Sequence, residues 1–193
     1  MILTKADLKE YLEADKKSLE RQMTRPRFLD LIWKYEIALR KSEYYHNSGG
    51  LFKKPLSKFY NIRLFILGTI CGYQIPINSI DKGLALVHLG PVIIDSKTRI
   101  GKKARIHVGV NIGTKAGEKG LAPTIGDNVY IAPGAKIFGP ISIGNNVAIG
   151  ANAVVNKSFP EDNITLAGVP AKIISHKGSD GFLIKGAETL NTD

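Results

Sequence analysis

A chain of 193 residues with 44% hydrophobic and 23% charged residues is one modest globular domain, or one domain with an added segment. Its formal charge of +10 suits a polyanionic ligand, an acidic surface or plain solubility, while sparse aromatics and the lack of a nucleic-acid-binding motif argue against nucleic acid. The single cysteine, Cys71, excludes an internal disulfide framework; with no secretory signal in the first residues, a cytoplasmic location is expected.

Residues 3–47 are predicted to be helical. Thr4 with Asp7 three positions later forms an N-terminal capping pattern. Leu8, Leu12 and Leu19 sit among many charges, whereas Phe28, Leu31, Ile32, Tyr35 and Leu39 make a firmer apolar stripe at helical spacing. Gly49 and Gly50 end it. Pro55 opens a further helix, carried by Phe59, Ile62, Leu64, Phe65 and Leu67 to about Cys71. The apolar run from Phe59 to Tyr73 carries Asn61 and Arg63 and is shorter than the roughly 18–20 residues of a membrane span. It is expected to be a buried helix rather than one lying on a membrane surface.

From about Ile75 the period changes to six. Ile94, Ile100, Ile106 and Ile112 form one run; after a longer gap Ile125, Ile131, Ile137, Ile143, Ile149 and Val155 form a second. His88 extends the same register backwards and is the only non-aliphatic residue in the column. Small or branched residues (Val92, Ala104, Val110, Val129, Ala135, Val147 and Ala153) recur four positions further on. No helix keeps an apolar face at this period. A coil of three short strands does: each hexad forms one side of a triangular prism and eighteen residues complete a turn. On that spacing His88 lies beneath Ile106, and His107 lies above Leu89 with its side chain outward.

Between Ile112 and Ile125 seven residues are surplus, so Thr114–Leu121 is expected to loop out of the prism wall, where solenoids commonly build binding surfaces. The repeat fades after Val155 into a turn around Pro160 and the segment Ala167-Gly-Val-Pro-Ala-Lys172. Three parts are expected: a helical segment over 1–72, a prism over 73–174 with the extruded loop 114–121, and a polar, loosely docked tail over 175–193.

The hexads, the extruded loop and the Gly-Val-Pro-Ala ending, in that order, resemble the hexapeptide-repeat acyltransferases, and within them the serine O-acetyltransferase branch that includes O-acetyltransferases of bacterial surface-polysaccharide pathways. The resemblance covers about residues 73–174. It implies an all-β left-handed parallel β-helix behind an α-helical segment, a homotrimer, and acetyl-CoA as acyl donor bound between neighbouring prisms.

By the same resemblance His88 is the general base on the acceptor hydroxyl, and an imidazole titrating near working pH suits that task. Tyr73 and His107 are candidate acceptor contacts. Gly113, Thr114, Ala132, Gly150, Lys157 and Lys172 are candidate cofactor contacts: glycine and alanine for close approach of the pantetheine arm, the lysines for the adenosine phosphates. The chain departs from the serine enzymes where they carry acidic residues, at Val87 and Tyr73, and where they carry an Arg-His pair, at Leu121 and Ala122. A sugar or glycan hydroxyl is therefore the expected acceptor, with serine O-acetylation for cysteine biosynthesis as the alternative. Asp81, Asp95, Tyr73 or a backbone carbonyl is left to orient His88.

Neither a metal nor a covalent intermediate is needed for direct transfer. A zinc hydrolyase on the same prism needs three converging histidines, and the repeat region offers His88 and His107. A non-catalytic scaffold is the remaining alternative. Cys71 reads as packing.

Overall fold

A computed structural model describes residues 1–50, 53–117 and 120–183. Among these residues three helices precede the prism: α1 (Lys5–Ser18), α2 (Leu31–Asn47) and α3 (Lys54–Cys71). The Thr4–Asp7 capping box forms as read, the threonine hydroxyl accepting from the Asp7 N–H while the Asp7 carboxylate accepts from the Thr4 N–H.

The predicted single helix over 3–47 is in fact α1 and α2 with an irregular connector. Leu19 caps α1, Glu20 turns into the left-handed region at φ 56°, and Pro26 removes a backbone donor where a continuous helix would need one. Phe28, read as part of the helical stripe, lies on this connector and is exposed. Asp30 restarts the helix by accepting from the Trp33 N–H. α3 stops at Gly72, which takes φ 81° as its left-handed cap.

Fourteen short strands follow: β1 (Tyr73–Gln74), β2 (Ala85–Leu86), β3 (Val92–Ile94), β4 (Arg99–Ile100), β5 (Arg105–Ile106), β6 (Asn111–Gly113), β7 (Thr124–Ile125), β8 (Tyr130–Ile131), β9 (Lys136–Phe138), β10 (Ser142–Ile143), β11 (Ala148–Ile149), β12 (Val154–Val155), β13 (Thr165–Gly168) and β14 (Ala171–Ser175). They stack into three sheets. Sheet I is β1-β3-β6-β9-β12, sheet II is β4-β7-β10, and sheet III is β2-β5-β8-β11-β13-β14. All pairings are parallel except β13 with β14. From β3 to β12 consecutive strands fall on successive sheets, the arrangement of a left-handed parallel β-helix.

Ile94 pairs with Ile112, Ile125 with Ile143, and Ile131 with Ile149, each eighteen residues on. Across the extruded loop the spacing grows by seven, as in Ile106 with Ile131. Glu118 and Lys119 of that loop lie outside the described residues. The aliphatic column is sealed: Ile106, Ile131, Ile137 and Ile149 are fully buried, and each contributes roughly 1.5–3 kcal/mol of transfer free energy. Interior positions next to the corners carry Ala104, Val110, Val129, Ala135, Val147 and Ala153, because the triangle narrows there.

The helical segment docks on the first coil through a buried polar network. Arg40 is wholly buried; its guanidinium donates to Asp15 at 2.7 Å, to Glu43 at 3.0 Å, and to the carbonyls of Ile80 and Asp81 at 2.8 and 2.7 Å. Asp15 also accepts from the N–H groups of Gly83 and Leu84, and Glu36 from that of Leu86. First-coil donors that no further coil is present to satisfy are thus met by carboxylates. Burial pushes the Glu36 carboxyl well above its ordinary value, with Asp15 adding in the same direction.

Two further expectations are revised. The helix from Phe59, read as buried, buries only Leu67, Gly68 and Cys71 and leaves most of its apolar residues exposed. The tail is docked rather than loose as far as it is described: the Ser179 hydroxyl donates to the Asn128 carbonyl at 2.7 Å and its N–H to that of Asn146 at 2.9 Å. Residues 184–193 lie outside the described part.

Candidate functional site

His88 does not occupy the aliphatic column. Leu86 does, pairing with Ile106 twenty residues on instead of eighteen. Two surplus residues enlarge the corner between β2 and β3 and carry His88 out of the prism, where it is exposed. The same shift sets Val87, not Leu89, next to His107: the Val87 N–H donates to the Ile106 carbonyl at 3.1 Å.

The corner between sheets III and I gathers much of the predicted chemistry. The residue following the interior aliphatic on successive strands of sheet III is Val87, His107, Ala132, Gly150 and Ala167. His107 therefore stands in a column whose higher positions are small. Its ring lies 5.7 Å from the His88 ring, centroid to centroid, and 5.0 Å from that of Tyr130, which in turn stacks on Phe182 at 5.0 Å. Lys172 pairs with Ala167 and is exposed at the top of this edge.

Both ring nitrogens of His107 are buried and have no hydrogen-bond partner among the described residues. Burial, then the positive Arg105, then His88 hold its imidazolium form below the ordinary histidine value. His107 is accordingly neutral near pH 7, with one acceptor and one donor unmet. Leaving such a group unmet costs about 1–3 kcal/mol.

Tyr73 is buried, and its hydroxyl donates to the main-chain carbonyl of His88 at 2.8 Å. Its ring meets Tyr35 edge-on at 4.9 Å. It fixes the corner that carries His88 rather than the imidazole itself. The two carboxylates considered as orienters are committed elsewhere. Asp81 accepts from Tyr11 at 2.5 Å and from the Lys82 N–H; Asp95 accepts from the Lys97 N–H at 2.8 Å.

Gly113, Thr114 and Lys157 lie at a different edge, the corner between sheets I and II. Gly113 pairs with Phe138 and opens the extruded loop. A Cβ added there would meet only the Asp95 Cβ, at 3.8 Å, and its backbone is not in the left-handed region. Packing against the described residues does not require this glycine. Gly150 differs: an added Cβ would approach Ala167 and the Leu166 carbonyl at 3.2 Å. The Lys157 ammonium stands over the Phe159 ring at 5.3 Å. Six predicted cofactor contacts thus fall on two edges flanking sheet I, with Ala132, Gly150 and Lys172 on one and Gly113, Thr114 and Lys157 on the other.

Beside the His88 corner opens a cavity of about 520 Å³, lined among others by Leu89, Arg21, Arg27, Leu29 and Trp33. Arg21 is paired with Asp30 at 2.9 Å, and the Arg27 Nε donates to the Met23 sulfur. Reading 3–47 as one helix conceals this wall; Pro26 and the capping Asp30 are the signals that reveal a connector there.

Residues 122–157 match the family model "Bacterial transferase hexapeptide (six repeats)". A serine acetyltransferase from Staphylococcus epidermidis is 36% identical over 152 residues, which are 78% of this chain and 66% of that protein. One from Staphylococcus aureus is 43% identical over 100 residues, covering 51% and 46%. The chain thus spans about two thirds of the first relative and about half of the second. Among solved structures, a serine acetyltransferase from Brucella abortus superposes with a TM-score of 0.70 at 28% identity, over 90% of this chain and 71% of that one. The same organism's enzyme in complex with coenzyme A gives 0.66 at 27% identity, over 90% and 70%.

Proposed function

Because the chain belongs to the hexapeptide-repeat acyltransferases, we propose that it is an acetyl-CoA-dependent O-acetyltransferase with His88 as general base. The observation that carries this reading is the enlarged corner, which presents His88 outside the prism beside the neutral His107 and the cavity at Leu89.

His88 takes the proton of the acceptor hydroxyl as its oxygen attacks the thioester carbonyl carbon. The carbonyl electron pair moves onto oxygen, giving a tetrahedral oxyanion held by N–H donors at the groove. Collapse breaks the C–S bond, and the imidazolium returns its proton to the leaving thiolate. Tyr73 acts through the His88 carbonyl as a positioning residue. His107, with a donor and an acceptor unspent but both nitrogens buried, stands behind His88 with its ring 5.7 Å away.

The donor groove is completed between neighbouring prisms of a homotrimer. One edge supplies Ala132, Gly150 and Lys172, and the other supplies Gly113, Thr114 and Lys157. Support comes from their separation on two edges of one chain and from Gly113, where an added Cβ would make only an ordinary contact with Asp95 among the described residues.

For the acceptor, the activity of the serine acetyltransferase relatives supports the hydroxyl of free serine over the sugar hydroxyl expected from the departures in sequence. A sugar or glycan hydroxyl stands as the second reading on a specific observation. The site's immediate neighbours, Val87 and Tyr73, offer no carboxylate, and Leu121 and Ala122 offer no cation for an amino acid's charged groups. Thiol release from acetyl-CoA, followed with serine and with a panel of sugars and nucleotide sugars, separates the two. Turnover of serine establishes the first reading; turnover of sugars with serine inert establishes the second. No acceptor-dependent release with either class overturns acetyl transfer to these hydroxyls.

A further inference from the structure

The face of α3 turned away from the prism carries Leu56, Phe59, Ile62, Phe65, Ile66 and Ile70, all exposed, with Phe65 at 74% and Ile70 at 60%. These residues recur at helical spacing and form one continuous stripe along the helix. Lys58 and Arg63 flank it, Lys54 lies at its start, and no aspartate or glutamate occurs anywhere in Lys54–Cys71.

The helix cannot roll to hide this stripe. Its opposite face is locked on the first coil: a Cβ at Gly68 would come within 2.7 Å of the Tyr73 carbonyl oxygen, and Leu67 and Cys71 are buried there. Along its flank Tyr60 stacks on Tyr45 at 5.2 Å, with the Lys41 ammonium over the Tyr60 ring. The exposed stripe is therefore a fixed feature of this chain rather than one of several orientations.

We infer that α3 docks this face in the interface of a membrane containing anionic lipid, its apolar side chains at the acyl boundary and Lys58 and Arg63 at the headgroups. No helix among the described residues is long and apolar enough to cross a membrane, so the helix lies along the surface. Charge selects this occupant over a two-fold pairing with the same stripe of a second copy. A two-fold pairing of the stripes would gather Lys58 and Arg63 of both copies into one interface with no carboxylate on either helix to neutralise them. An anionic bilayer neutralises both while burying the stripe. The net charge of +10 acts in the same direction.

The test is co-sedimentation of the full chain with phosphatidylcholine vesicles, with and without phosphatidylglycerol. Binding is expected only with the anionic lipid and should weaken with salt. Phe65→Ser with Ile66→Ser should lower the bound fraction about tenfold, as should Lys58→Glu with Arg63→Glu. Lys102→Glu with Lys177→Glu, an equal charge change on exposed prism residues, should leave it within about twofold. Because all of these side chains are exposed, circular dichroism and thermal melting should be unchanged. Three results overturn the inference: no vesicle binding by the parent chain; equal loss in the distant charge swap, which marks general adsorption; or a self-associated chain that the serine variants dissociate while vesicle binding persists.

Discussion

Two edges of one prism, built from the same hexads, are finished in opposite ways. At the corner between sheets II and III a ladder of asparagine and aspartate side chains is spent on the neighbouring coil. Asn128 donates to Asn146 and Asn146 to Asn163, at 2.9 and 3.1 Å, all three in the left-handed region at φ 55–59°. Asp127 accepts from the Lys102 N–H, Asn145 from that of Asp127, and Asp162 from that of Asn145. The glycines there have no room for a side chain: a Cβ at Gly101, Gly126 or Gly144 would come within 2.1, 2.6 or 2.4 Å of the next coil. At the corner between sheets III and I, by contrast, His88 faces solvent and both nitrogens of His107 lack partners. The closed ladder holds the prism together. The open edge is where the chain keeps groups available for chemistry.

The largest effect that would break this contrast is expected at His88. His88→Ala should lower acetyl transfer by about 10²–10⁴-fold, the usual worth of a general base, while the melting temperature stays unchanged because the ring is exposed. Near-normal transfer rates would remove the base from the proposal. On the closed edge the opposite signature is expected. Gly126→Ala should cost on the order of 2–4 kcal/mol in chemical denaturation, since its Cβ would strike backbone.

Asn146→Ala should follow at about 1–3 kcal/mol, since it loses both rungs of the ladder and places a Cβ residue without a polar side chain at φ 55°. Gly113→Ala tests the open side of the contrast. Stability should stay within about 0.5 kcal/mol, while KM for acetyl-CoA rises in initial-rate measurements; a change in stability alone would make Gly113 structural. The smallest effect is a pH dependence. The folded chain holds the His107 pKa below its unfolded value, so this contribution is complete above the ordinary histidine pKa of about 6.5 and is lost as pH falls through the lower folded value. Denaturation midpoints at pH 7.5 and 5.0 should differ less in His107→Phe than in the parent chain.

Much of this was legible from residues alone, because period six with Ile at the repeat has one packing solution. The seven surplus residues of the loop were legible for the same reason: an interruption of a strict period can be counted. The two-residue enlargement at His88 was not, because a strict count of six back from Ile94 lands on His88, and only the strand pairing shows that Leu86 is the interior residue. The α1–α2 connector was obscured by Phe28, which continues a helical stripe in sequence yet lies exposed. The stripe on α3 was read as core because an apolar run reports how much hydrophobic surface a segment has, not whether the rest of the chain covers it.

The carboxylates of Asp15 and Glu36, which accept the Gly83, Leu84 and Leu86 N–H groups, have a consequence beyond docking helices. A parallel solenoid has no intrinsic length: its terminal coil is a template for another coil, and two such ends meeting would start a fibre. Here the lower end of sheet III offers β2 and the residues leading into it, whose donors are already committed to acid side chains. At the upper end β14 runs antiparallel to β13, so an incoming parallel strand meets the wrong polarity. Sheet III is thus closed at both ends by the chain itself, so along that face a repeat able in principle to continue indefinitely is blocked.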